Sequence, residues 1–187
     1  YSSKFSPWLA NGSVSVKYIF KLLKEYETKV EKNDSTYWLY FELIWRDFFK
    51  YVSMQHKDKF FNKDGIYGED KEWSDDKDVL LKWINGKTDE TFINANMIEL
   101  SNTGFMSNRG RQNVANYLTK ELKIDWRIGA EYFESMLIDY DVHSNYGNWL
   151  YNAGIGNDSM PFRKFNPKLQ SERYDPDKSY EKIWLNG

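Results

Sequence analysis

A polar segment at residues 139–149 could hold a planar ligand with hydrogen-bonding edges. It combines two carboxylates, an amide and an indole, on Asp139, Asp141, Asn145 and Trp149. Such groups are costly to bury unless each polar atom finds a partner. The edge of a heteroaromatic ring carries both donors and acceptors and would supply those partners, so this segment is the first candidate binding site.

Two arginines stand at the start of a predicted helix, within the segment 103–113. A solvated basic turn is the simpler interpretation of Arg109 and Arg111. The other is a helix start that faces an anion, in which one arginine binds a phosphate and the other turns inward to a carboxylate. The residues alone leave both interpretations open.

Three side chains of different chemistry, Glu42, Trp45 and Arg46, occupy one predicted helix. Glu42 and Arg46 lie four residues apart on one helical face, which is typical of a surface ion pair of small energetic value. Together with the indole they could instead form a rim that holds an unstacked base beside a phosphate.

The N-terminal loop has the composition of an anion site, with the residues Ser2, Ser3, Lys4, Phe5 and Ser6. Hydroxyls, a lysine and free backbone N–H groups near a helix start suit a diphosphate, because the positive end of the helix dipole converges with these donors. An ordinary capped loop is the alternative.

The composition limits the classes of protein to which the chain can belong. Its 187 residues, 41% of them hydrophobic, are enough for one compact domain. The 8 Trp, 14 Tyr and 12 Phe offer flat surfaces to planar ligands and unpaired bases, or they pack the core. With a net charge of -2, no global field draws the chain to nucleic acid, so DNA would have to meet a local cluster.

Cysteine is absent, which excludes disulfides, thiolate metal sites and a cysteine nucleophile. Since the chain has only 2 histidines, we expect no metal site. No apolar run approaches the roughly 18 residues of a membrane span, and the N-terminus lacks signal-peptide character. We therefore expect a soluble, intracellular monomer, cytoplasmic in a bacterium and in an organelle or the nucleus of a eukaryote.

Helical periodicity recurs through most of the sequence and no alternating strand pattern appears, so the prediction is an all-α fold. Residues 33–35 provide a break and a cap between the first two helices, and Gly86 is expected to close the third. The stretches 57–75 and 156–180 are rich in Gly, Asp, Asn, Pro and Lys and predict long ordered loops. The predicted helices cover residues 14–32, 35–55, 76–85, 90–101, 108–122 and 128–139.

Four segments read ELIWRDF at 42–48, TGFMSNRGRQN at 103–113, IDWR at 124–127 and DYDVHSNYGNW at 139–149. In this order and spacing they resemble the flavin domain of DNA photolyases and cryptochromes, most of all the DASH-type cryptochromes. The resemblance implies that residues 1–187 form a multi-helix domain that binds flavin adenine dinucleotide (FAD). It also implies that the family's N-terminal α/β domain, with its folate-type antenna chromophore, is absent from this chain.

The resemblance implies cofactor contacts residue by residue. Arg111 pairs with Asp139 against the flavin edge. Asp141 meets the polar, pyrimidine-like rim of the ring, and Asn145 faces its N5 atom. The residues implied to hold the flavin diphosphate are those of the N-terminal loop, Ser2, Ser3, Lys4, Phe5 and Ser6.

The resemblance also implies a path for electrons and a surface for DNA. The tryptophans that form a relay from flavin to surface are Trp149, Trp126 and Trp73. The residues implied to hold the lesion are Glu42, Trp45 and Asn108. Those implied to bind DNA are Arg46, Arg109 and Arg163, which contact phosphates, together with Gln112 and Tyr151.

Some positions depart from the pattern of other subfamilies. Gln112 and Tyr151 stand where cyclobutane-dimer photolyases usually have Met and Trp, and the form found here resembles the DASH group. Ser107, Asn108 and Gln112 leave no histidines where (6-4) photolyases place their catalytic pair, which disfavours that lesion class.

The implied reaction is light-driven and redox-neutral: an electron passes from excited reduced FAD to a pyrimidine dimer in DNA, the cyclobutane ring splits, and the electron returns. A clamp made of Trp45 and Tyr151 offsets less of the cost of flipping the dimer than two tryptophans would, which favours single-stranded or looped DNA. The alternatives are a blue-light signalling photoreceptor without repair activity and a helical domain that has lost its flavin.

Overall fold

The computed structural model of the chain describes residues 3–186, and this part folds as helices without a β-strand. The all-α prediction is confirmed. Within the same range, the only sheet-like pairing is an isolated bridge between Ser74 and Ile124, and no helix is both long and apolar enough to cross a membrane. The α-helices are α1 (Ser6–Ala10), α2 (Val16–Lys29), α3 (Asp34–His56), α4 (Lys77–Ile84), α5 (Thr91–Thr103), α6 (Asn108–Asn116), α7 (Trp126–Met136), α8 (Val142–Ala153), α9 (Pro167–Tyr174) and α10 (Ser179–Leu185).

The two N-terminal long helices, α2 and α3, begin at side-chain caps. The Ser15 hydroxyl accepts a hydrogen bond from the Tyr18 N–H, and Asn33 forms a reciprocal capping box with Thr36. These caps satisfy N–H groups that the start of a helix leaves without a partner. The break predicted at residues 33–35 is therefore the cap that starts α3.

Helix α8 lies at the centre of the domain and packs against α3, α6 and α7. Its Trp149 ring is 2% exposed and lies edge-on to Phe133 of α7, with 5.1 Å between ring centroids. Gly147 of α8 faces the Phe49 ring of α3, and Gly129 of α7 faces the Trp149 ring. A Cβ atom at either glycine would overlap the ring, so these two positions set how closely the helices approach.

The C-terminal helices differ from the sequence predictions. The polar segment 139–149 contains most of α8, which the periodicity does not predict. The prediction of a loop at 156–180 is wrong, because α9 and the start of α10 lie there. Helix α9 begins at Pro167 behind an Asn166 cap and buries only Ser171. It therefore lacks an apolar period, and contact with α5 stabilises it instead.

Two other boundaries also differ. The helix predicted at 108–122 is α6 as far as Asn116 and continues as a π-helical turn, Tyr117–Glu121. The loop predicted at 57–75 opens with a 3₁₀ turn, Lys57–Phe61. Both turns are single and short, and a hydrophobic period cannot reveal them because it needs several turns to register.

We expect Gly129→Ala to destabilise the protein although alanine is the better helix former. In a helix interior the exchange favours alanine by about 1 kcal/mol. Here the new methyl group would overlap Trp149 and Leu118, and overpacking costs typically about 1–3 kcal/mol. The propensity gain offsets part of this cost, so urea denaturation should show a net loss of stability of up to about 2 kcal/mol.

The matched control is Ser135→Ala on the exposed side of the same helix. The Ser135 hydroxyl donates only to the Tyr132 carbonyl, at 2.7 Å, so the change should stay within about 0.5 kcal/mol. A Gly129→Ala protein as stable as the wild type would show that α7 and α8 do not need this close contact.

Candidate functional site

The Arg111 side chain on α6 forms an ion pair with Asp139, which lies between α7 and α8. The Nη2 to Oδ2 distance is 2.7 Å, and Nε of Arg111 donates to the Met106 carbonyl at 2.8 Å. The Asp139 side chain is 1% exposed, and its Oδ1 atom is buried without a hydrogen-bond partner among the described residues. Since a buried carboxylate oxygen is costly unless it accepts a hydrogen bond, a donor from a bound group fits here.

A second carboxyl group, that of Glu99 on α5, faces the same region. The Tyr180 hydroxyl donates to it at 2.6 Å. Burial raises the pKa of Glu99, while that hydrogen bond and the positive charges of Arg111 and Lys4 act to lower it. Lys4 and Arg111 therefore act on one carboxyl group, which puts the N-terminal loop within electrostatic range of the Arg111–Asp139 pair.

The N-terminal loop is described from Ser3 onward, and Ser2 lies outside the described residues. Ser3, Lys4 and Phe5 are exposed, whereas Ser6 is partly buried and begins α1. The backbone of Lys4 has a φ of 55°, in the left-handed region that a non-glycine residue occupies at some cost. Lys57, Lys123 and Lys178 share this backbone region, so the conformation by itself does not mark a ligand site.

Asp141 has two internal partners. Its Oδ1 accepts the Ser144 N–H at 2.9 Å and so caps α8, and its Oδ2 pairs with Arg46 of α3 at 3.2 Å. The buried amide of Asn145 donates to the Ala130 carbonyl at 3.0 Å. Contacts of Asp141 and Asn145 with a flavin ring stay predictions.

The Arg46–Asp141 pair decides whether Arg46 forms a surface ion pair with Glu42 on the same helix. Arg46 reaches to the cap of α8, so its ion-pair partner is not Glu42, four residues away on its own helix. The Glu42 side chain reaches solvent, yet desolvation by the surrounding protein raises the pKa of its carboxyl group. A carboxyl group with a raised pKa keeps its proton to higher pH and can then donate a hydrogen bond.

Trp45, Tyr151 and Arg163 form a continuous surface, here called the Trp45–Tyr151–Arg163 rim. The Trp45 and Tyr151 rings meet edge-on with 6.3 Å between centroids. Arg163 donates to the Tyr151 hydroxyl at 3.0 Å, and its guanidinium lies 5.3 Å from the Phe165 ring centroid. The rim combines flat rings with a cation, which is the chemistry that binds an unpaired base next to a phosphate.

The start of α6 separates its two arginines. Arg111 turns inward to Asp139, whereas Arg109 donates to Gln112 at 2.7 Å and lies 4.9 Å from the Tyr174 ring centroid. Asn108 is exposed at the first position of the helix. The inward pairing matches the second interpretation of segment 103–113, and the phosphate contact of Arg109 stays a prediction.

The three predicted relay tryptophans occupy different settings. Trp149 and Trp126 are buried in one hydrophobic core, against which Trp73 packs while partly exposed. The Trp126 indole donates to the Lys63 carbonyl at 3.1 Å. The Trp73 indole N–H is buried and has no partner among the described residues. An electron path through these rings is a prediction.

Sequence reasoning did not identify Glu99 or Trp83. The groups that act on Glu99 lie on α6, on α10 and in the N-terminal loop, so nothing in its local sequence distinguishes it from an exposed helical acid. Trp83 is fully buried and its ring lies 6.4 Å from that of Trp149. In a chain this rich in aromatic residues, its position within a predicted helix gave no signal beyond core packing.

Comparisons with known proteins agree with the fold. A family model described as the FAD binding domain of DNA photolyase matches residues 38–187. The DASH cryptochromes of Gloeobacter violaceus and Danio rerio are 56% and 51% identical to the chain over 185 residues, 99% of its length. The crystal structure of a Synechocystis cryptochrome superposes on the whole chain with a TM-score of 0.97 at 54% identity.

A bacterial class III photolyase from Agrobacterium tumefaciens superposes on 99% of the chain with a TM-score of 0.89 at 33% identity. The chain spans 37% of the Gloeobacter protein and 36% of the Danio rerio protein, little more than a third of each. Because the family model covers most of the chain, and relatives share half or more of its residues over nearly its full length, the chain belongs to the DNA photolyase and cryptochrome family as its helical FAD-binding domain, with DASH cryptochromes among its near relatives.

Proposed function

We propose that the chain is the catalytic part of a light-driven flavoprotein that splits cyclobutane pyrimidine dimers, preferably in single-stranded or looped DNA. The observation that carries the proposal is the Arg46–Asp141 ion pair at 3.2 Å. It joins α3, which bears the predicted lesion residues Glu42 and Trp45, to the polar segment predicted to meet the flavin. A dimer bound at the rim would therefore lie beside the group that exchanges an electron with it.

The residues present fit FAD. Asp139 offers a buried acceptor without a partner, Arg111 fixes that carboxylate, and Lys4 adds positive charge for a diphosphate. Asp141 and Asn145 supply further polar groups nearby. When bound, FAD supplies the absorption of blue light and the one-electron chemistry that side chains lack.

Glu42 is proposed to stabilise the negative charge that appears on the dimer after electron transfer. Burial raises the pKa of its carboxyl group, which lowers the cost of protonating it when a substrate covers it. A protonated carboxyl can donate a hydrogen bond to a carbonyl oxygen of the dimer. Such a preorganised contact is worth about 3 kcal/mol in the transition state.

Three arginines are proposed to bind phosphates without reading sequence: Arg46, Arg109 and Arg163. Contacts of this kind position the strand and make binding weaken steeply with salt. The Tyr151 ring provides a smaller stacking surface than a tryptophan would, so the clamp with Trp45 offsets less of the few kcal/mol needed to flip a dimer out of a duplex. An unpaired strand needs little flipping and is the preferred substrate.

The alternative is a blue-light photoreceptor that signals and does not repair. It would use the same flavin site and the same tryptophans. The two functions therefore differ in whether the protein needs residues that hold a lesion. Retention of Glu42, Trp45 and Asn108 favours repair, because a signalling protein needs no lesion contacts. In either case we propose that an N-terminal α/β domain with a folate-type antenna completes the protein.

We expect Asp139→Asn in the full-length protein to weaken FAD binding about 10- to 100-fold, because a hydrogen bond to a charged group contributes about 1.5–3 kcal/mol. Flavin released by denaturing the purified protein, and flavin retained on gel filtration, measure the effect. The control is Asp125→Asn, which breaks a similar 2.7 Å pair with Arg127 and should leave flavin content unchanged. Absence of flavin from the wild-type protein would contradict the proposal itself.

We expect Trp149→Phe to remove most photoreduction of the oxidised flavin, since Trp149 is the proposed first electron donor and phenylalanine is far harder to oxidise. Trp83→Phe is the matched control, because Trp83 is equally buried and touches the Trp149 ring but lies outside the proposed relay. Absorption during blue illumination of the FAD-loaded protein measures the rate. Equal photoreduction in Trp149→Phe and the wild type would exclude the assignment.

We expect the full-length, reduced and illuminated protein to repair dimers in single-stranded DNA far better than in duplex. Tyr151→Trp should narrow the gap, since an indole offers a base a larger stacking surface than a phenol. Tyr67→Trp, at an exposed position, is the control. Equal repair of both substrates by the wild type refutes the Tyr151 argument, and repair of neither favours the photoreceptor.

A further inference from the structure

Tyr146 links two of the predicted relay tryptophans. It lies on α8 three residues before Trp149, so the two side chains share a helical face. Its ring is edge-on to Trp126 of α7, with 6.0 Å between centroids and an interplanar angle of 84°. The Tyr146 ring also meets the Phe61 ring, with 4.9 Å between centroids. The phenol is thus held in ring contact with the middle tryptophan.

The hydroxyl of Tyr146 has a proton acceptor in place. It donates to Oε2 of Glu134, an exposed residue of α7, at 3.2 Å. Burial raises the pKa of Tyr146 to about 12, and the negative charge of Glu134 and the hydrogen bond to it act in the same direction. The phenol therefore keeps its proton near neutral pH, and the carboxylate facing it can take that proton if the phenol is oxidised.

We propose that Tyr146 is a redox-active residue that returns an electron to oxidised Trp126 and passes its hydroxyl proton to Glu134. The inference rests on the proposed function, because photoexcited oxidised flavin is the oxidant. Trp149 gives one electron to the flavin. Trp126 then reduces the oxidised Trp149, and Tyr146 reduces the oxidised Trp126. Tyr146 loses one electron and one proton and becomes a neutral phenoxyl radical, while the Glu134 carboxylate becomes a carboxylic acid.

The hydrogen bond is what makes this step favourable. An oxidised phenol is a strong acid, so tyrosine competes with tryptophan as an electron donor only when its proton leaves in the same event. Return of the electron then requires return of the proton, which slows recombination. Within the described residues, Tyr146 joins the two requirements, a ring contact with Trp126 and a hydrogen-bonded carboxylate. Oxidised Trp126 thus has two proposed electron donors, Trp73 and Tyr146.

Transient absorption and electron paramagnetic resonance of the FAD-loaded, full-length protein test the inference. In the wild type we expect a tryptophan radical that disappears as a tyrosyl radical forms. This step should be slower in heavy water, because a proton moves with the electron. Tyr146→Phe should abolish the tyrosyl signal and leave the first tryptophan radical intact. Glu134→Gln should slow the formation of the tyrosyl radical. Tyr140→Phe is the matched control, since the charge of Glu134 also acts to raise the pKa of the Tyr140 hydroxyl, and it should keep the signal.

The outcomes separate this inference from the proposed function. If flavin is absent or is not photoreduced in the wild type, the proposed function fails. If photoreduction proceeds and only tryptophan radicals appear, or if the tyrosyl signal survives in Tyr146→Phe, the assignment to Tyr146 is overturned. Thermal melting of each variant checks that a lost signal is not a lost fold.

Discussion

Helix α8 approaches α3 and α7 closely because glycine leaves room for an aromatic ring at each of these two contacts. Gly147 faces the Phe49 ring on α3, and Gly129 on α7 faces the ring of Trp149. Since protein interiors are packed as densely as crystals, a side chain at either glycine would push the helices apart. Helix α8 carries Trp149 and also Tyr151, so this packing positions the predicted electron donor and the predicted DNA rim together.

Charges are paired around α8 across large distances in the chain. Asp139 pairs with Arg111, 28 residues away, and Asp141 pairs with Arg46, 95 residues away. A carboxylate in a poorly solvated place is stable only with such a partner, and loss of the partner leaves an uncompensated charge. The pairs therefore fix α3 and α6 relative to the polar segment. Asp139 Oδ1 remains unsatisfied among the described residues and marks where a ligand donor would be most favourable.

The aromatic composition serves both packing and the proposed chemistry. Trp149, Trp126 and Trp83 are fully or almost fully buried and fill the core. Trp45 and Tyr151 contact each other where solvent still reaches them. The aromatic residues therefore serve both purposes at once: some pack the core, and others offer stacking surfaces to a ligand. A rigid core of indoles also holds oxidisable rings at fixed separations, which an electron path requires.

The sequence by itself determined the all-α fold, the cap that starts α3 and, through the resemblance, the family. Capping and helical periods are local, and the family segments are long enough to be read directly. Only the tertiary structure decided that Arg46 pairs with Asp141 and that α9 is a helix. It also decided that Tyr146 lies between Trp126 and Glu134. These features depend on contacts between elements far apart in the chain, and neither propensity nor spacing encodes which distant side chains the packing of α8 brings within hydrogen-bonding distance.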